Sequence, residues 1–415
     1  MKHLFLGSVA LCLLAVVMGC GEGGGNDNGV GPSDTVSPSA VTDLRCVFST
    51  PSSAILSWTA PGDDGHSGTA AQYQIRYSTT AITSANWSAA TPATNPPTPA
   101  VAGAMEAFRV VDLVDGTTYY FALKTADEGP NWSDVSSVAT TQTGNHSRQI
   151  TTAGGSSPTW SPDGLKIAFC TPNEEISWVP ATGGPGTPID IIIPPDTSVI
   201  YKSGPAWSPL GDKIAFVTVS NPHDQDVWLV PWSGGIADQI VDHGNPSGSG
   251  PRMEGLAWSP DATKIAFATD VDTYPERSIW IMPATGGVAT PLTPGWYCNR
   301  PSWKPDGSRV AFDRTQYIDE HTGTTDIWTV VATGGGPKQI TTLNGEGPTW
   351  SPDGKWLAYY DICSLCIIPA NGGTPQVLVD GVLCVSEPAW SPDGSKIAFN
   401  LGDHQQTQIW VVDLQ

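Results

Sequence analysis

Four histidines, His223, His243, His321 and His404, stand in the later part of this chain, each in a polar stretch that interrupts apolar runs. Neutral imidazole ligates divalent cations, so four of them on one surface could hold a catalytic metal. No fixed spacing ties these four together, and polar residues collect in loops anyway, so solvated loop histidines are the simpler reading. A second group pairs aromatic rings with guanidinium. Trp296, Tyr297 and Arg300 lie close in sequence, and Tyr274, Arg277, Tyr317 and Arg252 occupy comparable stretches. Aromatic and Arg side chains are those that most often dominate binding energy. The run Cys363-Ser-Leu-Cys366 has C-x-x-C form, but no second pair follows and Cys366 falls where sister segments carry a strand Trp, which argues against zinc. A disulfide between Cys363 and Cys384, both at one end of the same segment, is the expectation that remains. No nucleophile elbow, H-E-x-x-H, P-loop or dinucleotide fingerprint occurs. The residues therefore name no catalytic group, no metal site and no cofactor.

What positions these residues is a repeat. The decapeptide WSPDGLKIAF, from Trp160 to Phe169, returns in five near-copies led by Trp207, Trp258, Trp303, Trp350 and Trp390. The spacings of 47, 51, 45, 47 and 40 residues are those of a four-stranded propeller blade. Ser-Pro-Asp-Gly makes a tight turn: Pro presets φ, Asp bonds the local backbone, and Gly accepts positive φ. The continuous apolar runs KIAF and IWVV suit strands covered on both faces. The last copy stops at IWVVDLQ, one strand short, while RQIT at Arg148 to Thr151 matches KQIT at Lys338 to Thr341. The early strand is thus expected to complete the sixth blade and hide the open edges of the ring.

These motifs resemble the TolB-like β-propeller repeat over residues 148 to 415, with departures at Leu210, Ala262 and Lys304. The resemblance implies an all-β fold. The α/β domain that precedes the propeller in TolB has no counterpart here, so its role in the Tol system does not transfer. The four histidines on one rim also resemble those of metal-dependent oligogalacturonide lyases, which use a related propeller.

Residues 36 to 143 form a separate β-domain. Short alternating runs such as QYQIRYS and TYYFALKTAD are divided by Gly, Pro and Asp. The stretch LVDGTTYYFAL resembles the fibronectin type III signature, which implies that Tyr119 is the corner tyrosine and Trp58 the buried Trp. Such domains are mostly spacers or adhesion modules with no chemistry of their own, so removing this one is expected to matter far less to the propeller than removing Arg148 to Thr151.

The first residues read as an address. Lys2 precedes an apolar run from Leu4 to Val17 that is too short to span a bilayer. Val17-Met18-Gly19-Cys20 resembles the lipobox of bacterial lipoproteins, which implies an acylated Cys20. The expected division is a signal peptide at 1–19, a Gly-rich tether at 20–35, the fibronectin-like domain at 36–143 and a six-bladed propeller at 144–415. Nineteen Lys and Arg against 40 Asp and Glu give a formal charge of -21, and no basic cluster stands in the sequence to offset it, which excludes nucleic acid as a partner.

In such a propeller the tight turns share one face, and the irregular loops share the other, where binding groups belong. Trp296, Tyr297, Arg300, Tyr274, Arg277, Tyr317, His321, His243 and Arg252 all map to that second face. The leading expectation is a non-enzymatic, lipid-anchored binding or scaffold module of the bacterial cell envelope, at the outer membrane or periplasm, docking an unidentified protein or envelope polysaccharide. The alternative is a polysaccharide-binding protein or metal-dependent polysaccharide lyase acting at the same face.

Overall fold

The computed structural model describes residues 35–414, except 130, 145, 195–198, 221–224, 242–252, 271–276, 318–322, 343, 362–363, 381–383 and 404–405. Strands dominate, and the one helical element among the described residues is the short turn Trp87–Ala89. The lipobox, the tether, His223, His243, Arg252, Tyr274, His321, His404 and Cys363 lie outside the described residues, as does the side chain of Cys384.

The N-terminal domain is a sandwich. Its strands are β1 Arg45–Thr50, β2 Ser53–Thr59, β3 Gln72–Ser78, β4 Thr91–Pro92, β5 Met105–Val110, β6 Thr118–Ala126 and β7 Ala139–Gln142. One sheet runs β1-β2-β5 and the other β4-β3-β6-β7. Between them Trp58, 1% exposed, meets Tyr73 edge to face with centroids 5.2 Å apart. The Tyr119 hydroxyl accepts the Val114 N–H at 3.2 Å, which ties the corner back to the chain five residues upstream.

Six more four-stranded sheets follow among the described residues, each carrying one copy of the repeat. Their lead strands are Ser156–Trp160, Val199–Trp207, Met253–Trp258, Tyr297–Trp303, Glu346–Trp350 and Cys384–Trp390. Each lead strand lies against that of the next sheet, and Cys384–Trp390 lies against Ser156–Trp160. The second strands are buried on both faces, as their unbroken apolar runs require: Ile167 and Ala168 are 0% exposed and Phe169 is 3%. The short strand β8 Ser147–Gln149 pairs with Gln406–Asp413, placing Gln149 opposite Trp410, and becomes the fourth strand of the last sheet.

The repeated Trp has a structural reason. The indole N–H of Trp258 donates to the Ala206 carbonyl of the preceding sheet at 3.0 Å, that of Trp303 to Ala257, and that of Trp390 to Thr349. Trp160 of the first sheet donates to Ala389 of the last, also at 3.0 Å. Each turn that follows is closed by its own side chains. The Ser161 hydroxyl donates to Asp163 and accepts the Lys166 N–H, and Ser259, Ser351 and Ser391 do the same in their repeats. Where Leu210 replaces the Asp, Asp212 takes the Ser208 hydroxyl instead. The substitution that weakens the motif on paper is therefore compensated two residues later.

The spacer expectation for the fibronectin-like domain is corrected. Val47, Phe48, Ile55 and Ala107, on the outer face of its three-stranded sheet, share one buried cluster with Trp356, Leu365, Ile367 and Leu378 of the fifth repeat sheet. The short link to β8 is fixed as well: the His146 ring bonds Ser49 at 2.9 Å, and the His146 carbonyl accepts the Asp413 N–H. In sequence, a sandwich strand looks the same whether its second face meets solvent or a neighbour.

Candidate functional site

Each lead strand carries a bulge at the same place. Pairing with the second strand skips two residues between Ser203 and Ala206, Glu254 and Ala257, Asn299 and Ser302, Glu346 and Thr349, and Ser386 and Ala389. The first of the two skipped residues sits three before the Trp and has left-handed backbone in all six sheets. Gly204, Gly255 and Gly347 have φ of 57, 65 and 60°, while Ser157, Arg300 and Glu387 have 53, 48 and 50°. Proline follows in five of the six, and Leu256 in the other; a residue without an N–H suits a position that has left the ladder.

Glycine is the residue this backbone favours. A Cβ on Gly255 would also sit 2.7 Å from the Arg300 Cα, and one on Gly347 would sit 2.8 Å from the Tyr360 ring. Ser157, Arg300 and Glu387 hold the same conformation at a cost of order 1 kcal/mol or more each. Such strain persists where surrounding bonds fix it, and here they do.

Arg300 reaches across two sheets. One guanidinium nitrogen donates to Asp313 and to Glu346, both at 3.0 Å, and the group lies 5.6 Å from the Tyr360 ring centroid. Asp313 is 0% exposed and also accepts the Gly347 N–H, while the Tyr360 hydroxyl donates to Glu346 at 2.9 Å. Burial works against the Arg300 charge, but Asp313, Tyr360 and Glu346 outweigh it and raise its pKa further. Burial, followed by the neighbouring acids, also drives the Tyr360 hydroxyl upward, so it stays a donor at any ordinary pH. Across the opening, the Glu387 carboxylate accepts the Ser157 N–H at 2.7 Å and the Asn400 amide at 2.6 Å. Ser157, Arg300 and Glu387 line one cavity of about 540 Å³, walled between them by the prolines that follow.

The arrangement offers a locked cation, two partly exposed carboxylates and an apolar collar. No group of three metal-ligating side chains occurs among the described residues.

The residues expected from the sequence divide. Arg300 lines the cavity, whereas Trp296 and Tyr297 do not. Trp296 is half-buried, stacked on Phe312 and covered by Arg314 at 4.6 Å, so it belongs to the wall of the fourth sheet. Tyr297 meets Tyr317 edge to face at 4.8 Å, and Arg277 donates to Asn299 at 2.7 Å, which makes a separate group on that sheet. Sequence reasoning missed Ser157 and Glu387. The signal was present: the position three before each Trp reads Gly in three repeats and Ser, Arg or Glu in the others. The cysteines Cys46, Cys170, Cys298 and Cys366 are buried and unbridged, and burial raises the first to about 11 and the next two to about 12.

Lead strands, indole latches and bulges repeated in register define a repeat protein of the β-propeller class. Residues 197–383 match the TolB beta propeller domain and residues 39–140 the fibronectin type III domain. The chain thus carries a TolB-like β-propeller repeat region and a fibronectin type III domain. It is 37% identical over 75 residues to the Tol-Pal system protein TolB of Zymomonas mobilis, covering 18% of this chain and 16% of that one. It is 36% identical over 107 residues to an uncharacterized peptidase, YuxL, of Bacillus subtilis, covering 23% of this chain and 16% of that one. The chain therefore spans about a sixth of the length of each. A putative TolB from Agrobacterium tumefaciens superposes with a TM-score of 0.49 at 21% identity, over 64% of this chain and 92% of that structure.

Proposed function

We propose that the six repeat sheets form a six-bladed ring in which β8 supplies the outer strand of the last blade, and that this ring is a non-enzymatic binding or scaffold module of the bacterial cell envelope. A protein or envelope polysaccharide partner docks in the cavity lined by Ser157, Arg300 and Glu387. The lipid on Cys20 tethers the module to the membrane, at the outer membrane or periplasm. The observation that carries the docking reading is the strained bulge. Three side chains occupy a backbone conformation that glycine fills in the sister repeats, and all three face one opening. Strain kept at one place where an unstrained residue is available is the mark of a functional position.

The test replaces Ser157 and Glu387 by Gly, the residue that the sister repeats place there. Wild-type and S157G/E387G proteins are immobilised and exposed to envelope extract and to a glycan array. The wild type is expected to retain a partner that the double variant loses, with both proteins melting alike. Equal retention by both would overturn the assignment. A C20S variant is expected to leave the membrane fraction and to lose acyl-chain labelling.

A further inference from the structure

A protein with a formal charge of -21 has few cations to spend, and four of its 19 gather around one cleft. Lys304, Arg309, Lys338 and Lys355 come from the fourth and fifth repeat sheets, and Thr59 and Met105 of the fibronectin domain form the facing wall. The cavity measures about 420 Å³, within the range that takes a small ligand. Lys304 and Arg309 are five residues apart, but Lys338 and Lys355 are distant in sequence, so only folding brings the four together.

Lys304 is the informative member. It occupies the place where the other repeats carry Ser161, Ser208, Ser259, Ser351 and Ser391. Four of those serines donate to the Asp two residues on, and in the fourth repeat the Lys304 ammonium makes that contact instead, donating to Asp306 at 2.7 Å. Ser308 donates to Asp306 from its other side, as Thr263 and Ser395 do to Asp261 and Asp393 in their own repeats. The turn thus exchanges a hydroxyl for an ammonium that lines the cleft, paired with Asp306 and 5.9 Å from the Trp350 ring centroid. The other three are hardly neutralised. Arg309 reaches only the Thr329 hydroxyl at 3.4 Å, Lys338 donates to the Asn371 carbonyl at 2.7 Å, and Lys355 has no ion pair among the described residues. Asp306 is the one carboxylate paired with the group, and the Lys304 ammonium holds its pKa well below the usual carboxylate range.

Gathered like charges repel, and the arrangement is unfavourable until an anion joins it. Three of the four cations are lysines, which bind phosphate as mobile point charges, and Arg309 adds a planar fork that fits phosphate oxygens. We propose that this interdomain cleft binds a phosphate group, contributed either by a lipid headgroup or by a soluble phosphate ester. The site is independent of the cavity at Arg300, and it is incomplete without the fibronectin domain.

The probe is inorganic phosphate added to the full chain against sodium chloride of equal ionic strength. Calorimetric binding and a raised melting temperature are expected for the wild type. The K304S/K355Q double variant should bind at least tenfold more weakly, while its melting temperature without phosphate stays at or above that of the wild type, since Ser is native to this turn. A K213Q variant, which removes a lysine outside the cleft, should bind as the wild type does. Phosphatidylcholine vesicles with and without phosphatidic acid then separate the sources. Retention by the phosphatidic acid vesicles alone, lost in the double variant, assigns a lipid, and phosphate binding without vesicle retention assigns a soluble ester. The absence of any phosphate effect beyond that of chloride, or equal binding by wild type and K304S/K355Q, would overturn the proposal.

Discussion

If β8 is the outer strand of the last repeat sheet, truncating Ile150 at its end should weaken the whole repeat region and not only its first residues. Ile150 is 2% exposed and packs in one cluster with Trp160, Ile167 and Phe169 of the first sheet and Ile409 and Val411 of the last. Its N–H donates to the Ile409 carbonyl at 2.8 Å, and Ile150→Ala keeps that bond while removing the packed side chain. Buried Ile→Ala changes cost about 2–5 kcal/mol, the transfer term and the cavity term together. In a unit this large each kcal/mol lowers the melting temperature by roughly 2 °C, so a fall of about 4–10 °C is expected. Calorimetry of the full chain measures it, with Leu165→Ala as control, because Leu165 is 65% exposed and its truncation should cost less than about 0.5 kcal/mol. A variant that melts within about 1 °C of wild type would show that the Ile150 cluster contributes little beyond its backbone bond, and the clasp reading would fall.

Three further outcomes follow from the same geometry. A chain starting at residue 144 bares Trp356 and Leu378, so it should melt several degrees below the repeat region of the full chain and bind a hydrophobic dye, whereas equal melting would restore the spacer reading. The turn aspartates make stability acid-sensitive. Hydrogen bonds from Ser259 and Ser391 depress Asp261 and Asp393 to about 2, so their contribution is complete above the unfolded carboxylate value near 4 and is lost as pH falls toward about 2. D261N/D393N should therefore show a shallower loss of melting temperature across that window, and an unchanged slope would refute the assignment. Arg300→Gln should destabilise more than Glu387→Gly in thermal melts, because it strands the buried Asp313 carboxylate, while Glu387→Gly relaxes a positive φ as it loses two bonds.

The repeat was legible because its residues answer to backbone geometry alone. The Ser-Pro-Asp-Gly turn, the doubly covered KIAF strand and the leading Trp each follow from sterics or hydrogen bonding that any copy must satisfy, so six copies announce themselves. The pairing of β8 with the last strand was legible for the same reason, since RQIT matches a strand written elsewhere. The site was less so. Trp296 looked like a binding residue because an aromatic in an irregular stretch has no assigned neighbour in one dimension; Phe312 and Arg314 are 16 and 18 residues away and supply that neighbour in the folded sheet. Arg300 was recognised for its type, but the partners that fix it, Asp313 and Glu346, come from other strands. Lys304 was noted as a departure from the motif, and only the assembly of Arg309, Lys338 and Lys355 around it shows what the departure does.

The bulge explains how one scaffold can hold a variable site at so little cost. Residues of the ladder answer to partners on both sides, and at four of the six junctions the residue before the Trp offers its carbonyl to the next indole. The position three before the Trp has left the ladder, so its side chain is not needed for pairing, and the following proline has no N–H to leave unsatisfied. Its only demand is the left-handed backbone, which glycine meets freely and Ser157, Arg300 and Glu387 meet with strain. Six such positions turn toward one opening, so each can be changed without altering a strand, a turn or a latch. Lys304 is the departure on the turns: an ammonium takes the place of the hydroxyl beside Asp306 and adds a charge to the cleft beside the fibronectin domain. At the bulges the residues that break the repeat are held by bonds outside the repeat pattern, which separates what makes the fold from what the fold presents.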